Sequence, residues 1–367
     1  MKKRCLKRTA LLIFLLFFFC HSSVCAEDFA DDGKITLDVP DALLEFLPEN
    51  VENFRVSDVM ERFDFGFFSK IGVKILAEAA PEAAKLFAML LGVLLLCAVL
   101  GIVRRTITVT GLQTALELVG MVCVASAVFG VTEGVFSLAE EYISTLSSFM
   151  LSITPTMAGF MVARGEITSA AVLSGVIFTA VSLLERIVAQ ILFPLIRLSL
   201  CMSLVTNLFG IPGISGVAPA VKKTITYIMG FVTASLSAVL LFQKIVAKSA
   251  DSLAMRGIKF AVGQFVPFVG GAVNEALSTV IGGIGTIKAA TGVTGAVVVC
   301  LIAAVPVIRM LLNKTFLEWV SVFAGILGLS GESKLMTEVG SYLGYMAAMM
   351  AISSVFFILS LSMMASV

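Results

Sequence analysis

Residues 86–105 read LFAMLLGVLLLCAVLGIVRR, an unbroken apolar run that ends in two arginines. A helix needs about 20 apolar residues to cross the hydrocarbon core of a bilayer, and this run nearly reaches that length. A basic pair directly after such a run is typical of the cytoplasmic end of a span. The stretch therefore predicts a transmembrane helix whose end, at Arg104 and Arg105, faces the cytoplasm.

The composition of the whole chain agrees with a membrane protein. Of its 367 residues, 59% are hydrophobic and 14% are charged, whereas soluble domains are about half apolar and a quarter charged. The mean hydropathy is +1.04. We expect an all-α fold, a multi-pass transmembrane helical bundle. The net charge of +1 gives no electrostatic basis for nucleic-acid binding.

The first 26 residues have the pattern of a secretory signal peptide. A basic start is followed by an apolar core at 10–20, too short to span a bilayer, and by small residues at 24–26. We expect cleavage after Ala26. A lipoprotein cysteine at Cys25 is the alternative, which the preceding Ser-Ser-Val fits poorly. Cleavage places the mature N-terminus outside the cytoplasm, in agreement with a cytoplasmic Arg104.

An acidic segment separates the signal peptide from the apolar body. Residues 27–85 carry 14 of the 25 acidic side chains and only 6 of the 26 basic ones. We predict an extracytoplasmic segment over 27–82 and a polytopic membrane domain over 83–367. Within the acidic segment, 57–79 has apolar residues at helical spacing. This amphipathic helix lies on the membrane surface or packs against a partner or the membrane body.

Further apolar segments predict six to eight crossings in total. They lie at 112–132, 142–163, 168–209, 224–245, 291–312, 316–329 and 341–365. Proline with nearby glycine predicts two helix breaks or re-entrant elements. These are Pro155 with Gly159, and Pro267 with Gly270 and Gly271. A basic loop at 244–259 lies outside if the crossings simply alternate, and a re-entrant element would reverse that parity.

Two stretches share a Pro-x-Ile-Arg element, FPLIRLSL at 193–200 and VPVIRMLL at 305–312. The offset between them also aligns Pro155 with Pro267, which suggests an internal duplication. The predicted repeats cover about 112–210 and 224–329. Duplicated halves are common in transporters, where interrupted segments in matching places mark the functional centre.

Charged residues inside apolar segments are the candidate functional residues, because a charge at membrane depth costs a few kcal/mol and usually faces a bundle interior or a cavity. The candidates for lining a conduit are Glu117, Glu275, Glu185 and Arg186, of which the first two are expected to be the most buried. Arg197 and Arg309 are predicted to be anchors near a membrane face, because long basic side chains reach the interface.

The sequence lacks the residues that several kinds of catalysis and ligand binding require. The only histidine, His21, lies in the predicted signal peptide, so histidine-dependent catalysis and zinc sites built on histidine are not expected. No phosphate-binding loop is present. The four cysteines after residue 26 have no metal or redox spacing. We therefore expect no enzyme activity and no cofactor, and any nucleotide-driven step falls to a partner.

Four stretches together resemble the stage III sporulation protein AE family over nearly the whole chain. They are RVSDVMERFDFGFF at 55–68, ITPTMAGFMVARGEITSAA at 153–171, MRGIKFAVGQFVPFVGGAVNEALSTV at 255–280 and CLIAAVPVIRMLL at 300–312. The resemblance implies a polytopic membrane component, encoded with sister proteins that include ATPase-like and ring-forming subunits. With a forespore-side channel protein, these are thought to build a secretion-like channel between mother cell and forespore.

The resemblance implies the integral membrane core of that channel, in the mother-cell membrane around the forespore and required for forespore development. Two alternatives stay open. One is a secondary transporter that acts alone, which the duplication and interrupted segments favour. The other is a scaffold that anchors the ring and ATPase subunits without conducting a solute.

Overall fold

The computed structural model describes residues 65–209, 216–249 and 270–366, which form helices joined by short turns. The helices are α1 (Phe65–Thr106), α2 (Thr110–Ala163), α3 (Ile167–Ile187), α4 (Phe193–Phe209), α5 (Val217–Ser249), α6 (Gly270–Ile326) and α7 (Ser330–Ser366). The predicted all-α fold is confirmed for these residues. The predicted signal peptide, the acidic segment as far as residue 64, and most of the basic loop lie outside them.

Five described helical tracts are long and apolar enough to cross a membrane. They are Ser69–Arg104, Thr110–Ala163, Ile167–Ser203, Thr279–Ile326 and Ser330–Ser366. The apolar runs at 112–132 and 142–163 belong to one continuous helix, α2, and those at 291–312 and 316–329 both belong to α6. The run at 224–245 lies in α5, which is not among the five. The described chain thus has fewer and longer helices than its apolar runs predict.

Pro155 and Gly159 do not interrupt a helix, because both lie inside α2, which continues to Ala163. A proline removes one backbone hydrogen bond from a helix, and tertiary packing of the neighbouring turns can compensate for that loss. Here the flanking Ile153 and Met157 are 2% and 0% exposed. Burial on both sides of the proline therefore holds the helix together where the sequence predicts a break.

Pro194 distorts its helix more than Pro155 does. A π-helical segment, Val188–Leu192, joins α3 to α4 directly before the proline, and the Phe193 N–H donates to the Val188 carbonyl oxygen. A wider turn of this kind accommodates a proline ring that would otherwise clash with the preceding turn. Pro306, in the second Pro-x-Ile-Arg element, lies within regular α6. The two elements therefore differ in local structure.

A tight turn folds α7 back along α6 as an antiparallel hairpin. Gly328 has a φ of +79°, a conformation that glycine adopts without a Cβ clash. The Leu329 N–H donates to the Ala324 carbonyl at 2.9 Å, and the Gly328 N–H donates to the Gly325 carbonyl at 3.1 Å. This is the Schellman pattern that ends helices, and it starts the most extensive helix–helix interface among the described residues.

α7 is the central helix of the bundle. Of the residues in its most apolar stretch, 61% are buried, against 17% for α1. The Tyr142 hydroxyl, on α2, donates to the Met350 carbonyl at 2.8 Å and lies 2.6 Å from the Ser354 Oγ. The Tyr342 hydroxyl pairs with Ser199 on α4. Buried tyrosine hydroxyls need such partners, so both bonds fix neighbouring helices against α7.

α1 packs along α2 and α6 at the edge of the bundle. Ile71 and Ile75 are 8% and 1% exposed, and the Phe87 ring lies 5.4 Å from that of Phe316. From Phe65 onward, the predicted amphipathic helix continues without a break into the first span. Its described part therefore packs against the membrane body, one of the two placements that the sequence leaves open.

The longest helices exceed the thickness of a bilayer. α2 has 54 residues and α6 has 57, which corresponds to about 80–85 Å at about 1.5 Å per residue. The hydrocarbon core of a bilayer is about 30 Å thick. When either helix lies along the membrane normal, a single bilayer therefore cannot contain its full length.

Replacing Gly292 with alanine tests the close approach of α6 to α7. A Cβ at this position would overlap the Ala365 Cβ and lie 3.3 Å from the Met157 Cε. Overpacking of this kind is destabilising, so the free energy of unfolding of the detergent-purified protein should fall by about 1–3 kcal/mol. The matched control is Gly282→Ala on the same helix, where a Cβ meets no atom within 4 Å.

Because alanine favours a helix over glycine by about 0.5–1 kcal/mol, the control variant should unfold at an equal or higher temperature than the parent protein. Equal thermal stability of the two variants would contradict the described packing.

Candidate functional site

Three charged side chains meet where the turn between α2 and α3 contacts α6. The Lys288 Nζ donates a hydrogen bond to the Glu166 Oε2 at 2.9 Å, and the Arg164 Nη1 lies 3.4 Å from the Glu166 Oε1. Lys288 is 0% exposed and Glu166 is 8% exposed, so this pair is shielded from water. Arg164, Glu166 and Lys288 are called the turn cluster below.

The Arg-Gly-Glu sequence of the turn produces this geometry. Gly165 has a φ of 86°, a region that a residue with a Cβ rarely adopts. The N–H groups of Gly165 and Glu166 donate to the carbonyls of Val162 and Met161, both at 2.9 Å, which is again the Schellman pattern. The chain thus reverses within three residues and brings two charged side chains against α6.

The carboxylate of Glu166 is what makes the burial of Lys288 tolerable. Lys288 lies inside the candidate span Thr279–Ile326, and a buried charge without a partner is strongly unfavourable. The second cation, Arg164, packs against α6 at Gly285, one turn before Lys288, where a Cβ would lie 3.5 Å from the Arg164 Cζ. With two cations and one carboxylate, the cluster carries a formal charge of +1.

A second charged contact lies near the middle of α2. The Arg197 Nη2 lies 3.3 Å from the Glu140 Oε1, and the Arg197 Cζ lies 4.7 Å from the centroid of the Phe136 ring. The side chains of Arg197 and Glu140 are 48% and 52% exposed. The guanidinium thus has an anion and an aromatic face as partners. Its predicted role as an anchor at a membrane face stays a prediction.

Arg309 holds the same place in the second Pro-x-Ile-Arg element but has different surroundings. It lines a cavity of about 220 Å³ between α1, α2 and α6, together with Glu82, Asn313, Gly130 and Gly134. Its Nε atom is buried and has no hydrogen-bond partner. Arg309 therefore lines a partly open cavity between three helices, and its predicted role as an anchor near a membrane face stays a prediction. The space is called the Arg309 cavity below.

Glu117 is less buried than the sequence suggests. Its Oε2 lies 2.6 Å from the Arg104 Nη1, and the two side chains are 53% and 41% exposed, respectively. The expectation of deep burial is wrong because α2 begins at Thr110, so Glu117 lies only two turns from the end of its helix. The proposed conduit role of Glu117 is a separate matter and stays a prediction.

The remaining predicted residues do not meet in one place within the described chain. Glu185 and Arg186 are exposed in the last turn of α3, directly before the π-helical segment. Gly270 and Gly271 begin α6, and Glu275 follows in its second turn. Pro267 and the side chain of Glu275 lie outside the described part of the structure. Their conduit and re-entrant roles stay predictions.

Sequence reasoning missed the turn cluster, although it carried a signal. Arg164 and Glu166 flank a glycine between two long apolar runs, the arrangement of a tight turn with charges on both sides. Lys288 is the one charged residue between Glu275 and Arg309. An isolated lysine in a span predicts a buried partner. The identity of that partner, 122 positions earlier in the chain, required the structure.

Five helical tracts long and apolar enough to cross a membrane, with a lysine of one of them buried against a carboxylate, are features of a helical membrane protein. The family model for stage III sporulation protein AE matches residues 53–367. The chain belongs to this family.

One relative is stage III sporulation protein AE of Bacillus subtilis (strain 168), which is 28% identical over 225 residues. That match covers 61% of this chain and 56% of the relative, so the chain spans about half the length of the curated relative that it matches. No solved structure matches the chain.

A double-mutant cycle tests the Glu166–Lys288 pair. Glu166→Gln leaves two cations without their carboxylate, and the free energy of unfolding should fall by about 3–5 kcal/mol. Adding Lys288→Met removes the buried cation and should recover more than half of that loss. The unfolding of the detergent-purified protein, followed by circular dichroism, provides the measurement.

Lys314→Met is the control for the cycle, because Lys314 pairs with a half-exposed Glu318 at 3.9 Å one turn away on the same helix. Such a pair contributes about 0–1 kcal/mol. Additive effects of the two cluster substitutions would show that Glu166 and Lys288 do not interact.

Proposed function

We propose that this chain is the integral membrane core of a channel complex between mother cell and forespore, required for forespore development during endospore formation. The family assignment supports a role in sporulation. The observation that carries the channel role is the buried Glu166–Lys288 pair, which joins the turn between α2 and α3 to the candidate span Thr279–Ile326. A charged side chain within an apolar span is rare, usually faces the bundle interior or a cavity, and often marks a solute pathway.

The chain is proposed to work with the other proteins of the stage III sporulation A operon. These include ATPase-like and ring-forming subunits and a forespore-side channel protein. In support, the sequence carries no phosphate-binding loop of its own. The protein is placed in the mother-cell membrane around the forespore, with six to eight crossings. Catalysis and cofactors form no part of this proposal.

Two other functions are compatible with the same bundle. The Arg309 cavity favours a secondary transporter that acts alone, since such transporters bind solutes between their helices. A transporter of this kind would catalyse uptake into liposomes without partners. A scaffold would assemble the ring and ATPase subunits but would need no buried charge. A channel core differs from the transporter because it needs partner subunits, and it differs from the scaffold because it needs the buried charges.

The proposed topology places the mature N-terminus and the end of α7 outside the cytoplasm, and the turn at Arg104 inside. Two contacts support the placement of the end of α7 and the turn cluster on the same side of the membrane. Ala365 packs against Gly292, and Arg164 packs against Gly285 one to two turns away on the same helix. The turn between α1 and α2 lies at the opposite end of α2.

Sporulation assays with the Glu166→Gln/Lys288→Met double variant distinguish a channel from a scaffold. Because the double variant loses both charges together, it should fold and co-purify with its partner subunits. If the charges serve a conduit, sporulation efficiency should fall well below that of the parent protein although the complex still assembles. Efficiency equal to that of the parent protein, with normal co-purification, would contradict the conduit role and favour the scaffold.

Cysteine labelling tests the topology. In a chain without its own cysteines, Ile167→Cys places a thiol beside the turn cluster, and Thr108→Cys places one in the turn before α2. In intact protoplasts of non-sporulating cells that express the chain in the cell membrane, a membrane-impermeant thiol reagent should label the cysteine at 167 and leave that at 108 unlabelled until the membrane is permeabilised. The reverse pattern would overturn the proposed orientation, and labelling of both would exclude a crossing between them.

A further inference from the structure

The Arg309 cavity combines opposite charges that do not pair with each other. Arg309 on α6 and Glu82 on α1 both line it, yet no ion pair joins them among the described residues. The Arg309 Nε is buried without a hydrogen-bond partner, and Glu82 is exposed. A guanidinium and a carboxylate from two helices thus line the same cavity without pairing with each other.

Small residues on α2 keep the cavity open. A Cβ added at Gly130 or Gly134 would meet no atom within 4 Å, although glycines at this spacing usually bring two helices into contact. Here both glycines border the open space of the Arg309 cavity, so their backbone atoms are accessible to a molecule that binds there. Gly292 on α6 shows the contrasting case, since a Cβ there would overlap α7. The glycines at 130 and 134 therefore provide room for a guest.

The size of the cavity selects for a small guest. Its volume of about 220 Å³ lies below the 300–1,000 Å³ of typical sites for drug-sized ligands. A water molecule takes about 30 Å³ of liquid volume, so the space suits several waters or one solute with a short side chain. Asn313 adds an amide that can both donate and accept hydrogen bonds.

We propose that the Arg309 cavity binds a small zwitterionic solute of the α-amino acid class. The carboxylate of the solute pairs with the Arg309 guanidinium, which is suited to two parallel hydrogen bonds with a planar anion. The ammonium group of the solute faces Glu82. Asn313 and the glycine backbone contact the remainder. The proposed solute site does not depend on the proposed channel function, because binding of the solute is a property of the purified chain.

Direct binding to the full-length protein in lipid nanodiscs tests the site. The probes are radiolabelled alanine, propionate as the carboxylate alone, and ethylamine as the amine alone. Alanine should bind saturably and at least about tenfold more tightly than either fragment, because each fragment lacks one charged contact. Absence of alanine binding would overturn the proposal, and so would propionate binding as tightly as alanine.

Variants assign the two charges separately. Arg309→Gln and Glu82→Gln should each weaken alanine binding at least about tenfold. Gly130→Leu should block binding by filling the cavity. The matched control is Arg197→Gln, in the other Pro-x-Ile-Arg element, where the guanidinium already pairs with Glu140 outside the cavity. The control should bind alanine as the parent protein does.

The Glu82→Gln variant still tests the proposal if Arg309 proves necessary for folding, because an exposed glutamate tolerates replacement by glutamine. Unchanged alanine affinity in a folded Glu82→Gln variant, confirmed by gel filtration and thermal unfolding, would refute the zwitterion site. These results are independent of sporulation phenotypes. Loss of the channel function with intact alanine binding would leave the site in place.

Discussion

The contact between Glu166 and Lys288 is the constraint on which the bundle depends. A fully buried lysine needs an anion beside it, and the nearest carboxylate is supplied by a turn held open by Gly165. This requirement fixes the antiparallel register of α6 against α2. Slippage by one helical turn, about 5.4 Å, would separate the two charges and leave the buried Lys288 without a carboxylate.

The same register is repeated along both helices. Below the turn cluster, Gly292 meets Met157 and Gly295 meets Ile153. Farther along, Gly130 and Gly134 of α2 line the Arg309 cavity together with Arg309 of α6. The close packing near the turn cluster and the open space at the Arg309 cavity therefore follow from the same alignment of α2 and α6. Glycine has opposite effects in the two places, since it allows helix contact at Gly292 and leaves a void at Gly130.

The sequence predicts the class of fold well because apolar runs and basic pairs reflect local physical requirements. It fails where tertiary packing decides the outcome. Pro155 reads as a break, but burial on both of its sides keeps α2 continuous. Arg197 and Arg309 share a motif, yet one meets an exposed glutamate and the other faces a cavity. Their difference arises from neighbouring helices, which no local pattern records. Lys288 needs a partner by general physics, but only the fold identifies Glu166.

Cross-linking in native membranes tests the register most directly. Cysteines are placed at 153 and 295, which meet in the same register, in a chain that lacks its own cysteines but keeps Glu166 and Lys288, and a short bifunctional thiol reagent is added. The comparison pair joins 153 with 314, which lies 19 residues beyond 295 along α6, a rise of about 29 Å. The account predicts efficient cross-linking of the first pair and none of the second. Cross-linking of the second pair, or of neither, would contradict the alignment that Glu166 and Lys288 impose.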